Sequence, residues 1–169
     1  KKPLGNWTFW GEQRGGDNLM VVYWLYNITG DEFLLELGEL IHKQTLNWTD
    51  IFLNQDHLRR QHSLHCVNLA HGFKEPVIYF QQNKNPQQIR SVKKAVEDMR
   101  NTIAFPTGLW AGDELLRFGN PGSGSELCTA VEMMFSLEKM LEITGDVQWA
   151  DHLERITYNA LPTQITDDF

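Results

Sequence analysis

The chain is poor in cysteine. Its 169 residues hold two, Cys66 and Cys128. Two thiols form one bridge at most, which excludes a disulfide framework and leaves the redox compartment open. Their helical surroundings favour free thiols. Long apolar runs are missing as well. The opening Lys1-Lys2-Pro3-Leu4-Gly5-Asn6-Trp7 lacks the apolar core of a signal peptide, and no window approaches the ~18 apolar residues of a membrane span. Basic residues are outnumbered, 15 against 22 acids for a net charge of -7, so nucleic acid is excluded as a main partner. There is no Cys-x-x-Cys or His-x-x-x-His to supply a complete zinc site, and no Lys or Arg follows the glycine stretch at 119–125 in the manner of a nucleotide loop. A starting methionine is absent, which suggests a piece excised from a longer chain, although tag removal or processing leaves the same start.

What is present is an ordinary globular composition, 41% hydrophobic and 22% charged, at the length of one domain, here residues 1–169. The hydrophobic period is helical nearly throughout. Asp17 to Ile28 is followed by Thr29-Gly30-Asp31 and a second helix over Glu32 to His42. Gly30 suits the left-handed end of one helix, and Asp31 the cap of the next. The same unit returns at Thr144-Gly145-Asp146, 115 positions on, between helices over 127–142 and 147–160. A third copy joins a helix from about Ser63 to Gln82 to one starting at Pro86, with Ile89, Val92, Ala95 and Val96 opposite Leu34, Leu37, Leu40 and Ile41. Hairpins at steps of 55 and 60 residues mark a helical repeat array, all-α, either an open solenoid or about half of an (α/α)6 toroid. Half a ring exposes apolar flanks, which predicts pairing with a second copy or cover from the remainder of a parent chain.

Two long connections, Thr45 to Gln61 and Phe105 to Ser125, lie at the end of the hairpins opposite the short turns, and this mouth is where chemistry is expected. The densest group there is Gly112-Asp113-Glu114, the glycine stretch, then Glu126-Leu127-Cys128. Ser123-Gly124-Ser125-Glu126 fits a capping box, and Cys128 fits a small buried hydrophobe. Alternatively, Glu126 and Cys128 offer a carboxylate and a thiolate to zinc, provided Glu126 lies in an irregular first turn. Phe9, Trp10, Phe105 and Trp110 either stack on sugars or plug the core. His65 contacts a ligand or satisfies a helix end, while His42, His71 and His152 read as ordinary helix residues. The three Asn-x-Thr sequons carry no weight.

The run from Gly112 through Glu126-Leu127-Cys128, Val131 to Glu138, Ala150 to Ile156 and Asn159 to Gln164, with His65 to Ala70 and Arg14 to Leu19 upstream, resembles the β-L-arabinofuranosidases of glycoside hydrolase family 127. The resemblance covers nearly the whole chain. It implies an (α/α)6 toroid and a retaining reaction in which a cysteine nucleophile is held by zinc. On that basis Glu126 and Cys128 match two zinc ligands, Glu114 the acid/base, with Asp113 its alternative, and His65 a substrate contact. Asp17 stands where the family has another histidine, and Asp113 and Trp110 are further candidates for substrate contact. The adjacent cysteine pair that the resemblance requires would follow Phe169, so it implies a nucleophile outside this chain. The implied substrate is a plant cell-wall oligosaccharide of L-arabinofuranose or a related pectic sugar. The rival reading is a helical-repeat carbohydrate- or protein-binding module without catalysis.

Overall fold

The structure is a computed structural model and describes residues 8–54, 64–118 and 120–166. Among them there is no strand, and no helix is long and apolar enough to cross a membrane. A short α1 (Phe9–Gln13) leads into three hairpins: α2 (Gly15–Thr29) with α3 (Phe33–Gln44), α5 (Cys66–Asn83) with α6 (Pro86–Thr102), and α7 (Leu127–Thr144) with α8 (Val147–Arg155). A six-residue α4 (Trp48–Leu53) stands between the first two. The expected all-α hairpin array is what the chain forms.

The turns show why the repeat is legible. Gly30 and Gly145 are left-handed, at φ 73° and 67°, and each N–H returns 2.8 Å to the carbonyl four residues back, on Tyr26 and Leu141. In both copies the threonine before the glycine accepts the aspartate N–H at 3.2 Å. The copies diverge at the next helix. Asp146 caps α8 by accepting the Gln148 N–H, whereas the Asp31 side chain makes no such bond and Glu32 takes the cap position of α3. The middle hairpin places Lys84 at φ 54° where the others have glycine, and Asn85 caps a helix that begins at Pro86. The final helix is shorter than its pattern implies. After Arg155 it loosens into a π turn over Ile156–Ala160, then a 3₁₀ turn over Leu161–Gln164.

Helix α5 is the hub, packed against α2 and α7 and buried on most of its circumference. Leu19, Tyr23, Leu34, Ile41 and Ile78 fill one core between α2, α3 and α5. A larger one joins α4 to α8 and includes a run of rings, Trp48, Phe52, Phe73 and Trp110, with successive centroids 5.1–5.8 Å apart. Trp110 therefore takes the core reading left open by its sequence. It is fully buried and presents no face to a ligand in this structure.

The second long connection pairs with the approach to α5 at the hairpin mouth. The Cys66 N–H donates to the Glu114 carbonyl at 2.9 Å and the Leu116 N–H to the Leu64 carbonyl at 3.0 Å, an antiparallel strap centred on His65 and Leu115. Gly112 makes the strap possible. Its φ of 142° is poorly tolerated by side chains, and a Cβ there would overlap the Cys66 sulfur and the Leu115 carbonyl. We expect Gly112→Ala to destabilise the fold by about 1–3 kcal/mol in urea unfolding, through overpacking and backbone strain together. Wild-type stability in that variant would show that the strap has slack.

Candidate active site

The strap delivers Glu114 to the start of α5. There His65 Nε2 lies 3.0 Å from Glu114 Oε2, with the histidine side chain 13% exposed and the carboxylate 75% exposed. The charges of Glu126, Asp113 and Glu114 all act on the Cys66 thiol. Burial first, and then those charges, push it up to about 12, against a small opposing effect of the Trp110 indole. Cys66 is thus an inert, buried, neutral thiol that feels acidic residues from two separate segments. The Gly112 N–H to Gly124 carbonyl bond, at 3.1 Å, ties the Asp113-Glu114 segment to the approach of α7.

At that approach the capping box does not form. Ser123 ends a 3₁₀ turn (Pro121–Ser123), and the Ser125 hydroxyl accepts from Gln164. Glu126 itself occupies the cap position in an extended conformation, with no side-chain cap bond. Its Oε2 is buried without a hydrogen-bond partner, which is costly for a carboxylate oxygen unless something positive meets it. Cys128 is exposed rather than a buried hydrophobe. A half-buried carboxylate with an orphan oxygen at the extended cap position, two residues before an open thiol in the first turn of the helix, is the donor chemistry zinc takes. The residues present fit that ion.

Asp17 lies elsewhere. It sits in the first turn of α2 and is engaged by α5: Oδ2 is 2.8 Å from His71 Nδ1, and Oδ1 is 2.9 Å from Lys74 Nζ. Glu132 of α7 completes the group, 3.0 Å from His71 and in an ion pair with the Lys74 ammonium. Asp17, His71 and Glu132 put ligand atoms within 4.8 Å of one another, but the fully buried Lys74 already supplies the cation between the two carboxylates. His71 is therefore no ordinary helix residue. The i, i+3 spacing of His71 and Lys74 on one helix face was the available signal, and nothing in the sequence marked that lysine as buried. Burial alone would raise both carboxyls and lower the imidazole. The contacts win in each case: His71 and Lys74 hold Asp17 and Glu132 below the ordinary carboxylate range, and Asp17 and Glu132 lift His71 above its own. Asp17 is committed to helix packing as far as the described contacts go.

A half-exposed Trp10 and the partly exposed Arg14 also stand beside His65, a grouping that sequence spacing did not reveal. Trp7 and the end of the first long connection, from residue 55 on, lie outside the described residues.

A solved structure described as "Glycoside hydrolase" superposes with a TM-score of 0.60 at 20% identity, over 85% of this chain and 28% of that one. The likeness is one of fold, and the chain spans little more than a quarter of that protein. Residues 8–169 match the family "Beta-L-arabinofuranosidase, GH127 catalytic domain", and the chain belongs to that family. The search of curated proteins gives no match.

The buried cluster sets two expectations. Lys74→Met leaves two carboxylates facing each other without their cation and should cost about 3–5 kcal/mol in urea unfolding. The cluster also has a pH window. His71, raised in the fold, contributes fully below 6.5, and that stability is lost as pH rises through its higher folded value. Asp17 and Glu132, lowered, contribute above their ordinary 3.8 and 4.5 and lose their contribution only as pH falls through lower values. His152 is depressed by burial, so its share is lost on acidification below 6.5. The thermal midpoint should fall as pH rises from 6.5, and His71→Gln should flatten that limb. An unchanged alkaline slope in the variant would exclude His71 as its source.

Proposed function

We propose that this chain carries the acid/base side of the active site of a retaining glycoside hydrolase acting on L-arabinofuranosides or a related pectic sugar of the plant cell wall. The observation that supports it best is the exposed Glu114 carboxylate on the rim, bonded by His65, in a segment that a backbone hydrogen bond from Gly112 to Gly124 ties to the approach of Glu126. In this reading residues 1–169 form part of a toroid that the complete protein closes.

Glu114 donates a proton to the leaving glycosidic oxygen, and the same carboxylate then takes a proton from the water that releases the sugar. His65 keeps one Glu114 oxygen engaged, so the other faces the substrate. Glu126 and Cys128 hold zinc, which when bound lowers the pKa of a cysteine thiol so that it serves as nucleophile. The family resemblance implies that this nucleophile lies outside these residues, and the burial of Cys66 beneath the strap agrees with that. Asp113, exposed beside Glu114, is placed to meet sugar hydroxyls.

The test uses the complete protein. Purified enzyme should contain zinc, and Glu126→Gln or Cys128→Ser should lower its zinc content. Glu114→Gln should reduce kcat/KM on an unactivated arabinofuranoside by about 10²–10⁴. Residues 1–169 alone should release no product from an aryl arabinofuranoside. Turnover by that piece would refute the external nucleophile and move attention to Glu114 with Glu126.

A further inference from the structure

His65 does two jobs with one ring. As the N-cap of α5 it accepts the Asn68 backbone N–H on Nδ1, at 3.4 Å. A ring nitrogen that accepts carries no proton, so the neutral imidazole holds its hydrogen on Nε2. Nε2 is the atom 3.0 Å from Glu114 Oε2, and the histidine donates there. The tautomer of a rim histidine is thus set by the backbone of a buried helix.

The ring is also fixed laterally. Trp10 meets it edge to face, with centroids 5.1 Å apart and planes at 80°. The Arg14 guanidinium lies 4.8 Å above the Trp10 ring, and Arg14 Nε donates to Asn68 Oδ1 at 3.0 Å. Asn68 then returns to His65 through its own N–H. Arg14, Trp10, His65 and Asn68 form a closed circuit between the α1–α2 junction and the first turn of α5, and the His65 side chain carries it on to Glu114.

Glu114 needs such a bond. Its side chain is 75% exposed and has several rotamers to lose, and a proton donor that wanders by an ångström loses much of its advantage. We propose that the Arg14–Trp10–His65–Asn68 circuit is a positioning device for the acid/base carboxylate, holding Glu114 through the His65 Nε2–H. This rests on the acid/base reading of Glu114 given above. It adds a statement about the proton: with Oε2 committed as an acceptor, the proton to be donated is carried on Oε1, facing away from His65. Arg14, Trp10 and Asn68 touch no reacting atom and act through His65.

The experiment compares two leaving groups in the complete enzyme. A dinitrophenolate departs without a proton, whereas an alkoxide requires one, so impaired proton donation weakens hydrolysis of an alkyl arabinofuranoside far more than that of the dinitrophenyl one. Arg14→Met and Trp10→Leu should each lower kcat/KM on the alkyl substrate about tenfold, carried by kcat, and change the dinitrophenyl rate less than about twofold. Arg14→Lys, which retains a cation over Trp10 and a donor for Asn68, should recover most of the loss. Both substrates are measured on the same folded fraction, so partial unfolding cancels from their ratio. Equal losses on the two substrates, or no loss on either, would overturn the circuit's role and leave Glu114 in place. If Glu114→Gln itself showed no dependence on the leaving group, the acid/base reading would fall, and with it this one.

Discussion

A single buried ammonium sets the register of the three helices that begin at the mouth. Lys74 lies on the central helix, fully enclosed, between a carboxylate from α2 and one from α7, with His71 one turn away bonded to the same pair. Apolar contacts between helices are forgiving about sliding by a fraction of a turn. An enclosed charge is not, because displacement leaves an uncompensated ion in a low-dielectric interior. Asp17 stands near the start of α2, and His71 and Glu132 each stand six positions into their helices, counting Cys66 and Leu127 as the first. Pinning these residues together therefore brings the three helix starts to one level. The rim exists because that level is fixed.

On that base the strap does the local work. Two backbone hydrogen bonds flank His65 and Leu115, and they place a loop carboxylate beside a helix cap. The close approach is available because residue 112 has no side chain to collide with the Cys66 sulfur beneath it. Cys66 thus serves as a floor rather than as a reagent. The Gly112 N–H to Gly124 carbonyl bond ties the Asp113-Glu114 segment to the approach of α7, so the residues proposed for proton transfer and those proposed for metal binding are linked through the backbone.

The hairpins were readable from the sequence because their signals are local: a left-handed glycine, a proline at a helix start and a repeated apolar face. The strap was foreseen only as two long connections at one end, since pairing between residues 65 and 115 depends on how the hairpins stack. Glu126 shows the limit clearly. Its spacing from Ser123 satisfies the capping pattern, but the chain makes a 3₁₀ turn at Pro121–Ser123 and reaches α7 extended, so the glutamate arrives uncommitted. Trp110 shows another. An aromatic residue beside acidic ones reads equally as a sugar platform or as a plug, and only the ring series through Phe73 decides for the plug. The Asp17–His71–Lys74–Glu132 group joins three distant segments by ion pairs, and ion pairs impose no periodicity on a sequence. What the family resemblance added was roles, and those for Glu114, Glu126 and Cys128 remain proposals that the geometry accommodates.

Helices α2, α5 and α7, of 15, 18 and 18 residues, all begin at the mouth. Each presents there the partial positive charge of its unpaired first N–H groups, equivalent to roughly half an elementary charge. The antiparallel partners α3, α6 and α8 end on the same side and offset much of this at a distance, so the effect is local to the first turn of each helix. In a chain with a net charge of -7, Glu126 at the cap of α7 and Glu114 beside the cap of α5 stand next to such N–H groups, which eases the crowding of negative charge there. The same field favours any anion formed at the rim, whether a carboxylate after it has given up its proton or a thiolate held among these groups.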